Sequence, residues 1–93
     1  MIKVLIERKI QFGEEQAYDL AAQKMLSAVL SCQGYVSSEQ LFVQGKTNHR
    51  VIITNWRSVE DWTRWANSAQ RFEAISFFEP LLTERERVLI LQY

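Results

Sequence analysis

The sequence holds one cysteine, one proline and one histidine, and its net charge is zero. Each scarcity excludes something. The lone thiol, Cys32, cannot close a disulfide within the chain, and with no signal peptide in view it points to a reducing, cytoplasmic setting. A single imidazole without a partner at ligand spacing argues against a metal site. Pro80 alone, with no low-complexity stretch, leaves no linker, so residues 1–93 read as one domain. Eleven basic residues offset eleven acidic ones, without a basic run, and no nucleic-acid partner is expected. The apolar N-terminus, Met1 to Ile10, is interrupted by Glu7 and Arg8. It is too short and too charged for a secretory or membrane segment.

What is present is apolar bulk. Hydrophobic residues make up 47% of the chain and aromatics 12%. That is rich for a domain this small, which buries only about 60–65% of the surface its unfolded chain exposes. All three tryptophans, Trp56, Trp62 and Trp65, fall in one stretch of ten residues.

The hydrophobic periods predict the elements. Ile2–Ile10 alternates, with Ile2, Val4 and Ile6 on one side and Lys3, Leu5 and Glu7 on the other, and reads as a strand. Phe12-Gly13 breaks it. Glu14–Ser31 reads as a helix, with acidic residues in its first turn where the dipole favours them. Its apolar face is Tyr18, Ala21, Ala22, Met25, Leu26 and Val29. Gly34 is a fitting C-terminal stop. Tyr35–Val43 reads as a second strand, Gln44–Asn48 as a hairpin turn, and His49–Trp56 as a third strand. Ser58 caps a helix over Val59–Asn67, with Asp61 in place of the usual Glu of a capping box. Asn67-Ser68 can break that helix, and a second piece runs over Ala69–Glu79 to Pro80. Leu81–Glu86 is expected to be a loop, its charge run Glu84-Arg85-Glu86-Arg87 solvated. Arg87–Tyr93 is a fourth strand.

The order β-α-β-β-α-β is the ferredoxin-like arrangement, an α+β fold with a four-stranded antiparallel sheet and its helices on one face. A sheet with one wet face alternates cleanly. Here the fourth strand is apolar on both faces, and the first nearly so. The helices can cover one face only, so a second copy is expected on the other, giving a homodimer built as a dimeric α+β barrel.

Several residues carry a further resemblance. Trp56-Arg57-Ser58 leading into Glu60-Asp61-Trp62 and Trp65, then Ser68 and Phe72, resembles the antibiotic biosynthesis monooxygenase (ABM) domain. Gly34-Tyr35 and the first strand ending in Glu7-Arg8 add to the likeness, which spans nearly the whole chain. The resemblance implies a homodimer with a ligand cleft in each subunit between sheet and helices. It implies chemistry ranging over cofactor-free oxygenases of phenolic polyketides, haem-degrading monooxygenases and isomerases. The haem-degrading pattern has an asparagine where Glu7 stands and a histidine where Ile75 or Ser76 stands. Only Trp65 matches, and neither Ile75 nor Ser76 can replace an imidazole ligand to iron.

The function expected on this basis is a cofactor-independent monooxygenase acting on a small phenolic or quinone-like aromatic, with no flavin, metal or haem. The alternatives are a non-catalytic dimeric domain that binds a metabolite or serves in stress, and isomerase or hydrolase chemistry on a small carbonyl compound. Each candidate residue also has an ordinary reading. Trp62 and Trp65, with Phe72 and Phe77, form walls of a cleft, or simply core. Trp56 is core. Asn55 stabilises a developing anion, or is a polar residue at a strand end. His49 is a base near neutral pH, or a solvated residue beside the turn. Glu7 is a base if burial raises its pKa, or a rim ion pair. Tyr35 and Tyr93 read as packing residues, and Cys32 as an inert thiol.

Overall fold

A computed structural model describes all of residues 1–93. Its elements are β1 (Ile2–Lys9), α1 (Glu15–Val29), β2 (Tyr35–Val43), β3 (Lys46–Trp56), α2 (Val59–Ala66), α3 (Ala69–Phe78), a 3-10 turn at Glu79–Leu81 and β4 (Arg87–Gln92). The strands form one antiparallel sheet in the order β2-β3-β1-β4, the ferredoxin-like α+β arrangement. The third strand starts earlier than its hydrophobic pattern suggests. Gly45 sits at φ 79° in the β2–β3 connection, so the reversal is tight and pairing begins at Lys46.

The sheet has two unlike faces. Ile2, Val4, Ile6, Arg8, Ile52, Thr54 and Trp56 are buried beneath the helices. Val29, Trp62 and Trp65 pack on the Ile2–Trp56 end of that face. Tyr18, Ala21, Ala22 and Phe78 pack around Ile10 at the other end. The opposite face carries no helix. Leu5, Val51 and Ile53 are half-buried there, while Leu89 and Leu91 on the β4 edge stay 49% and 44% exposed. Pairing of Leu5 with both Ile53 and Leu89 lines these apolar groups up across three strands.

The break between α2 and α3 falls at Asn67-Ser68. The Ser68 hydroxyl accepts the Arg71 N–H and donates to the Trp65 carbonyl, so one side chain caps the start of α3 and closes the end of α2. Ser58 likewise accepts the Asp61 N–H at the start of α2. Gly34, at φ 85°, lies so close to Asp61 that a Cβ there would overlap its carboxyl. That contact joins the entry of β2 to the first turn of α2. No helix is long and apolar enough to cross a membrane.

Candidate functional site

A cleft opens between the covered sheet face and the helices. Ile52, Thr54 and Trp56 form its floor, Met25, Leu26 and Val29 one wall, and Trp62, Trp65 and Arg71 the other, with Ser38 and Gln40 at the β2 side. Trp56 is fully buried and anchors the floor. Its indole N–H donates to Thr54 Oγ1 at 2.9 Å, which satisfies the donor that a buried indole must place. Its ring meets Trp62 edge-on, with centroids 5.7 Å apart at 69°, and Tyr35 at 5.6 Å and 76°. Such edge contacts add about 0.5–1.5 kcal/mol each to plain area burial.

Charge enters at the far end of the cleft. Arg8 follows Ile2, Val4 and Ile6 in strand phase and is only 4% exposed. It donates to Glu86 at 2.8 Å and to the Tyr18 hydroxyl at 3.1 Å, and its guanidinium lies 4.1 Å from the Phe78 ring centroid. Arg71, on the inward stripe of α3, donates to the other Glu86 oxygen at 2.8 Å. Burial alone would raise the pKa of Glu86. The Arg8 and Arg71 charges, with their hydrogen bonds, together outweigh that and hold it below the ordinary carboxylate value. Glu86 therefore leaves the solvated charge run expected of it and becomes the hub of a buried ion triad.

Glu7, His49 and Asn55 lie elsewhere. They share the helix-free face, one residue out of phase with Arg8, Thr54 and Trp56. Glu7 meets His49 Nε2 at 2.5 Å and Arg87 at 3.6 Å. The His49 hydrogen bond lowers the Glu7 pKa, against a partial desolvation that raises it, with the charges of His49, Arg87 and Lys9 adding to the lowering. Asn55 accepts from Lys3 Nζ at 2.8 Å and donates to Ser37 at 3.1 Å. None of the three lines the cleft.

Of the aromatic walls expected, Trp62 and Trp65 line the cleft and Phe72 and Phe77 do not. Phe72 is 83% and Phe77 49% exposed. The reason is the break before Ser68, which resets the helical phase. The spacing from Trp65 to Phe72 therefore fixes no common face, and α3 turns Arg71 and Phe78 inward instead. Tyr93 is also exposed rather than packed, because β4 ends before it. The residues that sequence reasoning missed are Arg8, Arg71 and Glu86. For Arg8 the signal was present, a charge in phase with three apolar strand positions. Burial pushes the Cys32 thiol up, which fits an inert group.

The fold and the family now coincide. The profile of the antibiotic biosynthesis monooxygenase family matches residues 1–76, and the chain belongs to that family. Among solved structures, a conserved protein from Methanosarcina mazei Go1 superposes with a TM-score of 0.91 at 11% identity, over 98% of this chain and 90% of that one. SnoaB, a cofactor-independent oxygenase from Streptomyces nogalater, gives 0.89 at 13% identity, over 99% and 91%. Rv0793 from Mycobacterium tuberculosis gives 0.87 at 15% identity, over 99% and 93%. At such identities the likeness is one of fold. No curated protein matches the chain.

Proposed function

We propose that this chain is a cofactor-independent monooxygenase of a small phenolic or quinone-like aromatic, working in the cytoplasm as a homodimer. The observation that supports it is the tryptophan-lined cleft of a chain belonging to this family. Two copies would pack by their helix-free faces, which places Glu7, His49 and Asn55 between the sheets and leaves a cleft in each subunit. The substrate ring would lie against Trp62 and Trp65. The cavity, about 40 Å³, has room for a few waters, whereas a benzene-sized guest needs roughly 150 Å³. Entry of a ring therefore requires Met25 and Leu26, both half-exposed and rotatable, to swing aside.

The chemistry asks little of a cofactor. A methylene flanked by aromatic rings gives up a proton to water in the open cleft, and the carbanion adds O₂. The peroxide anion takes up a proton, and the resulting hydroperoxide loses water and leaves a carbonyl, so one oxygen atom goes to product and one to water. The surplus positive charge of the Arg8–Glu86–Arg71 triad favours a ligand that carries negative charge.

A second reading, non-catalytic binding of the same compounds, is favoured by one observation. Glu86, the carboxylate bonded to the cleft-lining Arg8 and Arg71, is held by both guanidinium groups and makes a weak base. Oxygen uptake by metal-stripped protein with a panel of anthrones and hydroquinones tests both. Uptake above the uncatalysed rate, reduced in Trp65→Phe, supports the monooxygenase. Quenching of tryptophan fluorescence without uptake supports the binder.

A further inference from the structure

The buried end of the cleft carries two positive charges and one negative. The side chains of Arg8, Arg71 and Glu86 are 4%, 9% and 16% exposed. Arg50, whose guanidinium lies 5.4 Å from the Tyr18 ring, does not alter this sum, because it has its own partner in Asp19 at 2.6 Å. A buried charge without a counter-charge is strongly unfavourable, and a second carboxylate at this place would restore the balance.

The donors say where such a group would bind. Arg8 is spent on Glu86 and on Tyr18. Arg71 gives one nitrogen to Glu86, but its Nε–H is buried without a partner, the only buried side-chain polar atom in the chain left so. A buried donor left unpaired is unfavourable, and the cost is recovered when an acceptor arrives. Arg71 also lines the cleft, with its guanidinium 5.4 Å from the Trp62 ring. The free donor and the aromatic wall thus stand side by side.

We propose that the ligand of this cleft is an aromatic compound carrying a fixed carboxylate, and that Arg71 is the residue that binds it. One carboxylate oxygen takes the Arg71 Nε–H, and the ring lies against Trp62 and Trp65. This rests on the cleft being the ligand site and names the class of compound it takes. A single negative charge balances the triad, whereas a phosphate monoester would overshoot it.

Tryptophan fluorescence titration with 2-naphthoate and 2-naphthamide tests this, since the two share shape and differ in charge. The wild-type protein should bind the carboxylate roughly tenfold or more tightly than the amide, the size of one charge-assisted hydrogen bond. Arg71→Gln should abolish that preference, so that the carboxylate binds no more tightly than the amide, with the amide still quenching. Arg71→Lys, which keeps the charge facing Glu86 but loses the planar fork, should retain only part of it. Equal affinities in the wild type, no quenching by either compound, or a preference that survives Arg71→Gln would each overturn the proposal. Oxygen uptake is read separately. A carboxylate preference without turnover sinks the monooxygenase and spares this inference, and turnover of neutral hydroquinones without the preference does the reverse.

Discussion

The two faces of one sheet handle charge in opposite ways. On the helix-covered face, Arg8 and Arg71 share Glu86 under a roof of aromatic rings. On the helix-free face, Glu7 and His49 pair with side chains 24% and 18% exposed, beside Lys9 and Arg87. Both sets come from neighbouring positions on β1, because Glu7 and Arg8 differ by one residue and a strand sends successive side chains to opposite sides. What differs is the medium. Where water is excluded, the geometry of each donor becomes decisive and breaking one partner is severe. Where water reaches, the same kind of pair is worth little.

That contrast can be broken by mutation, and the largest effect should come from the covered face. Glu86→Ala leaves two guanidinium groups buried without a counter-charge and should cost about 3–5 kcal/mol in urea denaturation. Acid reaches the same state without mutation. The folded pKa of Glu86 is depressed, so its contribution is complete above the ordinary value of 4.5 and is lost as pH falls through the lowered one. Denaturation midpoints measured between neutral pH and strong acid should fall across that window. Next in size is Trp56→Phe, which loses the bond to Thr54 and part of a fully buried ring. The expected cost is about 1–3 kcal/mol.

The helix-free face answers to different probes. Ile53→Glu should leave the monomer folded while raising the dissociation constant of the proposed dimer at least about tenfold, or about 1.4 kcal/mol, measured by sedimentation. A dimer of undiminished strength would place the interface elsewhere. Smallest of all, His49→Ala should leave the monomer's denaturation midpoint essentially unchanged, in contrast to Glu86→Ala. An equal loss in the two variants would erase the distinction between the faces.

The fold was legible because it is written in periods. Alternation in β1 and β3, a helical stripe in α1, and glycines at the turns fix the element order. Much of the site was not legible, for two physical reasons. A helical wheel carries phase only within one helix, and the Ser68 cap ends α2's phase before Phe72 is reached. Ion pairs between distant segments leave no local mark: Glu84-Arg85-Glu86-Arg87 looks uniformly solvated until the chain brings Arg8 and Arg71 against its third member. Glu7, His49 and Asn55 were chosen for their chemistry, and strand parity then put all three on the face away from the cleft. Trp62 and Trp65 could be placed, because they precede the break and share the α2 stripe turned toward the sheet.

The bond from Arg8 to Glu86 spans 78 positions of sequence, which bears on how the protein is made. Closing so long a loop is slow to be rewarded, because its entropy is lost before the contact forms. A chain leaving the ribosome exposes Arg8 first and Arg71 much later, and neither can meet Glu86 until residue 86 has emerged. The charged end of the cleft thus cannot be completed before then. A chain halted before Glu86 would carry all three tryptophans of the cleft and still lack the carboxylate that both arginines share.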